Sequence, residues 1–178
     1  LPSHASILTG QLPFAHAVRD NLGFTLSEDA VTLPELLSSA GYTTGGFVSS
    51  FVLRAETGIS QGFATYDARF PAAASDRPFG QVQRPGVQTL EATDRWLDTL
   101  ADTRAFVFFH IYEPHRPYAP PAAYQGLADP YDGEVAYSDE IVGRLLASLK
   151  RRGSYDNATI VITADHGEGL GDHGEQDH

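Results

Sequence analysis

Helical hydrophobic spacing marks several stretches of the chain. Apolar residues recur there at intervals of three and four, which places them on one face of a helix. The stretches with this spacing are residues 32–40, 87–101 and 133–151. Residues 2–10 predict a shorter helix, because Pro2 suits the first turn and Gly10 suits the carboxyl end. Thr32 is a suitable N-cap for the helix that follows it.

Short apolar runs lie between these helices and predict strands. They are residues 42–49, 105–112 and 158–163. The run 105–112 is continuous and predicts a central strand buried on both faces. His110 within it is more typical of a hydrogen-bonded core histidine than of a ligand. Because helices and strands alternate, we expect an α/β fold with a mostly parallel sheet and helices on both faces.

The connecting segments carry turn-forming residues and no periodic pattern. Residues 11–27 predict a loop, and residues 67–86, rich in Pro, Ala, Gly and Asp, predict a surface excursion. A helical turn is expected over residues 51–55. Residues 113–121 contain four prolines, which excludes a regular helix or strand there.

Length and composition narrow the class of protein. A chain of 178 residues fits one domain, residues 1–178, and we expect that domain to be truncated at both ends because each end falls inside a predicted motif. A net charge of −11 with a single lysine argues against nucleic acid as a partner. The absence of cysteine excludes disulfides and thiolate metal sites. No run approaches the ~18 apolar residues of a membrane span.

The segment 164–178 is densely acidic. It holds five carboxylates and three histidines but no basic residue. Like charges at this density repel one another unless water or a cation lies among them. The segment is therefore either a solvated loop or part of a metal site, and the abrupt change from an apolar run to Asp165 favours the metal.

Polar side chains follow directly after two of the predicted strands. His115 comes after the run 105–112, while Asp165 and His166 come after the run 158–163. Because parallel strands end at the same edge of a sheet, we expect these side chains to meet on one rim. A lone loop histidine is more often structural than functional, but the prolines that flank His115 fix its backbone as a preorganised site requires.

Four stretches in this order resemble motifs of the sulfatase branch of the alkaline phosphatase superfamily. Residues 2–10 resemble the nucleophile motif, and residues 16–21 resemble the loop that follows it. Residues 114–118, Pro-His-Arg-Pro-Tyr, resemble the Pro-His-x-Pro-Tyr segment, and residues 163–174 resemble the second metal motif. The resemblance implies a partial domain of an alkaline phosphatase-like fold and a hydrolase of sulfate esters.

The same resemblance implies roles for individual residues. It places the nucleophile immediately before Leu1, as formylglycine, serine or threonine, so this chain alone is expected to be inactive. His4 stands where sulfatases carry arginine and is expected to contact the nucleophile or the anion. Asn21 and His178 match residues that bind the anionic group, and His115 matches the histidine beside the leaving-group oxygen. The family's Gly-Lys-x-His element has no match in this sequence.

Metal ligation by resemblance falls on Asp165 and His166, and the remaining metal aspartates belong to an N-terminal strand outside this sequence. One divalent ion is implied: an imidazole ligand favours Zn²⁺ or Mn²⁺, while Ca²⁺ and Mg²⁺ remain compatible. Glu168 is interpreted as a structural residue that orients His166 or bonds to backbone. For Asp172 and His173, ligation and a solvated loop are equally open.

Three functions are compatible with these residues. The first is a sulfatase that acts on a small anionic ester through a covalent nucleophile and a metal. The second is a phosphomonoesterase, phosphodiesterase or phosphonate monoester hydrolase on the same scaffold, which His4 and the missing Gly-Lys-x-His element favour. The third is a non-catalytic metal-binding or interaction domain. The family resemblance is compatible with a periplasmic or secreted location.

Overall fold

A three-stranded parallel sheet forms the centre of the fold. The computed structural model describes residues 1–70, 82–100 and 103–174. Strands β1 (Thr43–Val48), β2 (Thr65–Asp67) and β3 (Ala105–His110) lie in the order β2-β1-β3. The mostly parallel α/β architecture expected from the alternation of helices and strands is therefore confirmed.

Five α-helices surround this sheet in the described part of the chain. They are α1 (Pro2–Thr9), α2 (Pro13–His16), α3 (Leu33–Ser39), α4 (Gly86–Thr99) and α5 (Pro130–Arg151). Short 3-10 turns cover Phe51–Leu53, Ala55–Thr57, Ala122–Tyr124, Tyr155–Asn157 and Asp172–Gly174. The four predicted helices are present, but residues 11–27 were wrongly expected to be a loop throughout, since α2 forms within them. Every helix in these ranges is too short or too polar to cross a bilayer.

Side chains of β1 divide the core between two faces of the sheet. Val48 packs with α1 in one cluster, whose buried members are Leu1, Ala5, Leu8, Val18, Leu26, Val48, Leu53 and Ile59. The side chain of Phe47 points to the opposite face of the sheet and packs with Ala92 and Trp96 of α4. The helices α1 and α4 therefore cover opposite faces, as the sequence predicts.

Two glycines let aromatic rings pack directly on β1. A Cβ at Gly45 would lie 2.9 Å from the Trp96 ring, and one at Gly46 would lie 2.5 Å from the Tyr66 ring. Both distances are far below van der Waals contact, so any side chain here would displace a ring. Glycine weakens strands in general, but here the rings that it admits supply the packing.

The third predicted strand, residues 158–163, is not formed. The segment makes no ladder with another strand among the described residues, and Val161 is 81% and Ile162 71% exposed. Correspondingly, among the described residues β3 pairs with β1 alone and is half-buried, so the expectation of a central strand buried on both faces is wrong. A cavity of about 1770 Å³ is lined by β3 and by residues 158–164. An apolar run forms a strand only where it can form hydrogen bonds with a partner edge, and in the described part of the chain no backbone hydrogen bond joins this run to β3.

The predicted surface excursion 67–86 is anchored inside the protein at both ends. Arg84 is only 5% exposed, and its Nη1 lies 2.6 Å from the Asp67 Oδ1. The same guanidinium donates to the Val48 carbonyl (2.9 Å) and to the Thr89 hydroxyl (2.9 Å). The middle of this segment, residues 71–81, lies outside the described residues. The ends of the segment therefore belong to the core, which the lack of periodicity concealed.

Asp67 also binds Arg69, whose side chain is 76% exposed. Burial alone would raise the pKa of Asp67, but the hydrogen bonds from Arg69 and Arg84 outweigh burial and lower the pKa to about 2. The Asp67 carboxylate thus has one buried partner, Arg84, and one exposed partner, Arg69. Substitution of each arginine in turn compares the two ion pairs.

We expect Arg84→Met to lower the free energy of unfolding by about 3–5 kcal/mol, because it removes the buried partner of a buried carboxylate. Arg69→Met is the matched control, and its loss should stay below about 1 kcal/mol because that pair is exposed to solvent. Urea unfolding of the full-length protein, followed by circular dichroism, measures both values. Equal losses in the two variants would contradict the dominant role of Arg84.

Candidate active site

Three separate parts of the chain contribute side chains to one cavity. They are the first turn of α1, the end of β3 with the turn that follows it, and the loop after residue 164. The polar side chains that line this cavity include His4, Asn21, His110, Tyr112, His115, Asp165 and His166. The structure thus brings His115 and Asp165 to the same cavity, although residues 158–163 do not form the strand that was expected to place them there.

His4 lies on the buried face of α1 and points at Asp165. Its Nδ1 atom is 3.5 Å from the Asp165 Oδ2, and the residue is only 6% exposed. Burial lowers the pKa of His4 to about 3. His4 is therefore a neutral imidazole near neutral pH. Its Nδ1 is buried and has no hydrogen-bond partner among the described residues.

His110 lies directly beneath His4 at the end of β3. The two rings are edge to face, with centroids 4.9 Å apart. The backbone N–H of Ser49 donates to the His110 Nδ1 at 3.4 Å, which places the proton of the neutral ring on Nε2. Burial lowers the pKa of His110 to about 3, and His4 adds to this effect. His110 is thus a hydrogen-bonded neutral histidine, as its strand pattern suggests, but it also supports the site.

Asp165 and His166 form a second close pair. The His166 Nε2 lies 3.5 Å from the Asp165 Oδ2, and its Nδ1 lies 2.9 Å from the Gly167 carbonyl oxygen. Because a carbonyl only accepts, the ring proton is on Nδ1 and Nε2 faces the carboxylate. Two ligands bound to a tetrahedral metal at 2.0–2.1 Å lie about 3.3 Å apart. The spacing of this pair therefore fits two ligands of one metal ion.

A complete metal site would need further ligands. In residues 1–70, 82–100 and 103–174, no group of three or more His, Cys, Asp or Glu side chains has the arrangement of a metal site. Asp165 and His166 fit a metal as a pair, and the buried Nδ1 of His4 faces the same carboxylate oxygen.

Asn21 lies at the amino end of α1. The nitrogen of Leu1 donates to the Asn21 Oδ1 at 2.5 Å, so the amide stands beside the position where the chain enters the helix. The loop that carries Asn21 is tied to α1 by His16, whose Nε2 is 3.0 Å from the Ser6 hydroxyl. The Val18 N–H donates to the other ring nitrogen of His16 at 3.1 Å. His16 therefore holds the loop in place.

The proline-bounded turn that carries His115 is fixed by α5. The Ala119 N–H donates to the Glu134 Oε1 at 2.8 Å, and the His115 N–H is hydrogen-bonded to the same carboxylate. Burial raises the pKa of Glu134, and the nearby Glu113 carboxylate adds to the increase. Glu113 itself accepts from the Gly86 N–H at 2.9 Å, which joins the turn to the start of α4.

The His115 turn also contacts the loop that follows Asp165. Burial raises the pKa of Tyr118, and the charge of the nearby Glu168 carboxylate adds to this increase while Arg116 opposes it. Glu168 thus lies near Tyr118 of the turn, whereas the sequence predicted that it orients His166 or bonds to backbone. Tyr112 and Glu134 were also missed, although Tyr112 stands only three residues before His115, a spacing that a turn brings together.

Several predicted residues are placed away from this cluster or beyond the described chain. His178 lies outside the described residues. His173 is exposed and adopts a left-handed conformation, with φ of 55°. The Asp172 backbone forms part of the last 3-10 turn.

A family model described as Sulfatase matches residues 1–178 of this chain. Over 43 residues the chain is 44% identical to the multifunctional alkaline phosphatase superfamily protein PehA of Trinickia caryophylli. This match covers 24% of this chain and 8% of PehA. Among solved structures, BT4656 in complex with its substrate D-glucosamine-2-N,6-O-disulfate superposes with a TM-score of 0.74 and 19% identity, covering 97% of this chain and 57% of that chain.

Two further solved structures share the fold. Ps i-CgsB in complex with κ-ι-κ-neocarrahexaose has a TM-score of 0.76 and 20% identity over 98% of this chain and 49% of that chain. The phosphonate monoester hydrolase of Agrobacterium radiobacter has a TM-score of 0.75 and 18% identity over 96% of this chain and 54% of that chain. The chain thus spans about half the length of these proteins, and the expected partial alkaline phosphatase-like domain is confirmed.

The neutral histidines make stability depend on pH. The pKa of His110 is lowered from 6.5 to about 3, as is that of His4, so the folded protein resists a proton that the unfolded chain accepts. Their contribution to stability is complete above pH 6.5 and is lost as the pH falls from 6.5 towards 3. Each ring contributes a slope of up to about 1.4 kcal/mol per pH unit.

We expect His110→Asn to remove about half of this slope, because the amide oxygen replaces the acceptor for Ser49 but does not titrate. Urea unfolding of the full-length protein at a series of pH values between 7 and about 4 measures the effect. A slope identical to that of the unaltered protein would contradict the depressed pKa of His110.

Proposed function

Because the chain belongs to the sulfatase family, we propose that the protein hydrolyses sulfate esters with the help of a divalent metal ion. One observation carries this proposal: the His4 Nδ1 and the His166 Nε2 both lie 3.5 Å from the Asp165 Oδ2, in a cavity that His115 also lines. A carboxylate and imidazoles that line one cavity together suit displacement at a sulfuryl or phosphoryl centre.

Asp165 and His166 would hold the metal, with further ligands from outside the described residues. When bound, such an ion lowers the pKa of a nucleophile and polarises an oxygen of the ester. The hydrogen bond from the His166 Nδ1–H to the Gly167 carbonyl keeps the ring oriented so that Nε2 faces Asp165. The nitrogen ligand favours Zn²⁺ or Mn²⁺, and the carboxylate is equally compatible with Ca²⁺ or Mg²⁺.

His4 and Asn21 would bind the anionic group of the substrate. Both stand at the amino end of α1, where the nucleophile is proposed to precede Leu1. The Asn21 amide can donate two hydrogen bonds to sulfuryl oxygens. His4, whose Nδ1 faces Asp165, would contact the anion or the nucleophile with the other side of its ring. His178 is proposed as a further contact to the anion on the family resemblance, and it lies outside the described residues.

His115 would supply the proton that the leaving-group oxygen needs. The turn that holds it is joined to α5 through Glu134 and to α4 through Glu113, so the imidazole is held on rigid elements. A positioned acid contributes most when the leaving group is a poor one, such as the oxygen of a sugar alcohol. We propose formylglycine, serine or threonine as the covalent nucleophile.

A phosphoryl or phosphonyl ester hydrolase is the second candidate function. It is favoured by His4, which stands where sulfatases carry arginine, and by the absence of a Gly-Lys-x-His element. The similar folds include a phosphonate monoester hydrolase. A non-catalytic metal-binding domain is the third candidate, and a full-length chain that lacks a nucleophile would support it.

The decisive experiment compares esters that differ only in the transferred group. Full-length protein would be assayed with 4-nitrophenyl sulfate, 4-nitrophenyl phosphate and 4-nitrophenyl phenylphosphonate, and the peptide before Leu1 would be examined by mass spectrometry for formylglycine. We expect the highest kcat/KM on the sulfate, together with formylglycine. Preference for either phosphorus ester, with serine or threonine at that position, would replace the sulfatase by the second candidate. One solved protein of this fold is in complex with D-glucosamine-2-N,6-O-disulfate, so a sulfated glucosamine would be the next substrate to test.

The metal proposal predicts a specific loss. Asp165→Ala in the full-length protein should weaken metal affinity by at least about 100-fold, because it removes a ligand and not only a supporting group. Metal content after dialysis, measured by inductively coupled plasma mass spectrometry, reports this loss independently of activity. Asp156→Ala, an exposed carboxylate in the preceding 3-10 turn, is the control and should retain the metal. Full metal retention in Asp165→Ala would overturn the assignment.

A further inference from the structure

Tyr112 and His115 stack against each other in the turn after β3. Their ring centroids are 4.1 Å apart, and the angle between the two ring planes is 19°. The distance of 2.9 Å between the Tyr112 hydroxyl oxygen and the His115 Nε2 is therefore measured over the face of the imidazole, not in its plane. Since a ring N–H points along the plane, the two side chains meet through their faces and not through a directional hydrogen bond.

The edge of the His115 imidazole is held by the adjacent backbone. Its Nδ1 lies 2.7 Å from the Arg116 carbonyl oxygen, which only accepts, so Nδ1 carries a proton and donates it to this bond. One such hydrogen bond fixes the direction of one N–H group, but the ring can still swing about that direction. The stacked phenol ring lies on one face of the imidazole, where it blocks this swing.

Tyr112 is connected to the sheet as well as to the turn. It stands two residues after β3, which pairs with β1. The Ser50 side chain, two residues after β1, interacts with the Tyr112 hydroxyl. The phenol thus joins the His115 side chain to the carboxyl end of the sheet, whereas Glu134 joins the backbone of the turn to α5.

We propose that Tyr112 is a positioning residue, whose ring is a flat support that keeps the His115 imidazole in one orientation within the cavity. The inference rests on the proposed ester hydrolysis, in which His115 supplies a proton to the leaving-group oxygen. The phenol oxygen and its proton take no part in the reaction. Because acid catalysis falls steeply when the donor is misplaced, loss of the stack should lower the rate only where that donor is needed.

The alternative is that the turn and the Nδ1 hydrogen bond are sufficient, and that Tyr112 only fills space. Two substitutions separate these cases. Tyr112→Phe keeps the stacked ring and removes the hydroxyl, whereas Tyr112→Leu keeps an apolar side chain and removes the ring. If the ring supports His115, the Phe variant should behave like the unaltered protein and the Leu variant should not.

The test uses full-length protein and two sulfate esters, 4-nitrophenyl sulfate with a good leaving group and a simple alkyl sulfate with a poor one. We expect Tyr112→Leu to lower kcat on the alkyl ester by about 100-fold. The same variant should change kcat on the nitrophenyl ester less than about 3-fold, because that leaving group needs little acid catalysis. Tyr112→Phe should stay within about 3-fold of the unaltered protein on both esters.

A matched control removes a stacked tyrosine elsewhere. Tyr42 precedes β1 at the opposite end of the strand, and the Arg104 guanidinium lies over its ring at 4.8 Å. Tyr42→Leu should leave both rates unchanged. A double variant then tests whether Tyr112 acts through His115: Tyr112→Leu combined with His115→Ala should lose no more on the alkyl ester than His115→Ala alone.

Three results would overturn the positioning role but leave the hydrolase proposal standing: equal losses on the two esters in Tyr112→Leu, the same loss in Tyr112→Phe as in Tyr112→Leu, or an additional loss in the double variant. Absence of hydrolysis of every sulfate and phosphorus ester by the unaltered protein would overturn both proposals. Proton NMR of the His115 ring is a readout that does not need activity. The phenol ring current should shift these signals upfield in the unaltered protein and in Tyr112→Phe but not in Tyr112→Leu, and signals that are identical in all three would contradict the stack.

Discussion

The candidate site is built around the close approach of a buried neutral imidazole, His4, to a carboxylate, Asp165. Residues 158–164 are exposed and make no ladder with another strand in the described part of the chain, so no backbone pairing places the loop that follows them. At the cavity, the Asp165 Oδ2 of that loop lies 3.5 Å from the buried His4 Nδ1, and its Glu168 carboxylate lies near Tyr118. A charged His4 would require solvation that its burial denies, so the low pKa of His4 is part of this arrangement.

The same local device sets the tautomer of two site histidines. In both His115 and His166, Nδ1 bonds to the carbonyl of the next residue, at 2.7 and 2.9 Å respectively. In each ring Nε2 therefore carries no proton. It lies beside the Tyr112 hydroxyl in His115 and beside the Asp165 carboxylate in His166. A hydrogen bond from the imidazole to the carbonyl of the next residue needs no contact with a distant segment. It can therefore orient a histidine ring in loops such as these, where no strand pairing does so.

Local signals in the sequence predicted most of the fold, and contacts between distant segments account for the errors. The helices α3 to α5 follow from apolar spacing and caps, which are properties of neighbouring residues. The exposed run 158–163 has the composition of a strand, but pairing depends on another segment that composition does not reveal. The Asp67–Arg84 pair joins residues on either side of an aperiodic segment, so no local pattern indicated it. The candidate site was predicted through motif order, whereas Tyr112 and Glu134 emerged only from geometry.

The charge of His4 bears on which esters suit the cavity. An arginine at this position would add a permanent positive charge, but the buried His4 is neutral because its pKa lies far below neutrality. A sulfate monoester carries one negative charge at neutral pH, as do phosphodiesters and phosphonate monoesters, whereas a phosphate monoester carries close to two. Replacing a cation by a neutral donor weakens binding of a dianion more than that of a monoanion, because the lost attraction scales with the ligand charge. Within the proposed functions, the neutral His4 therefore favours monoanionic esters, and sulfate monoesters are the members of that set that the family points to.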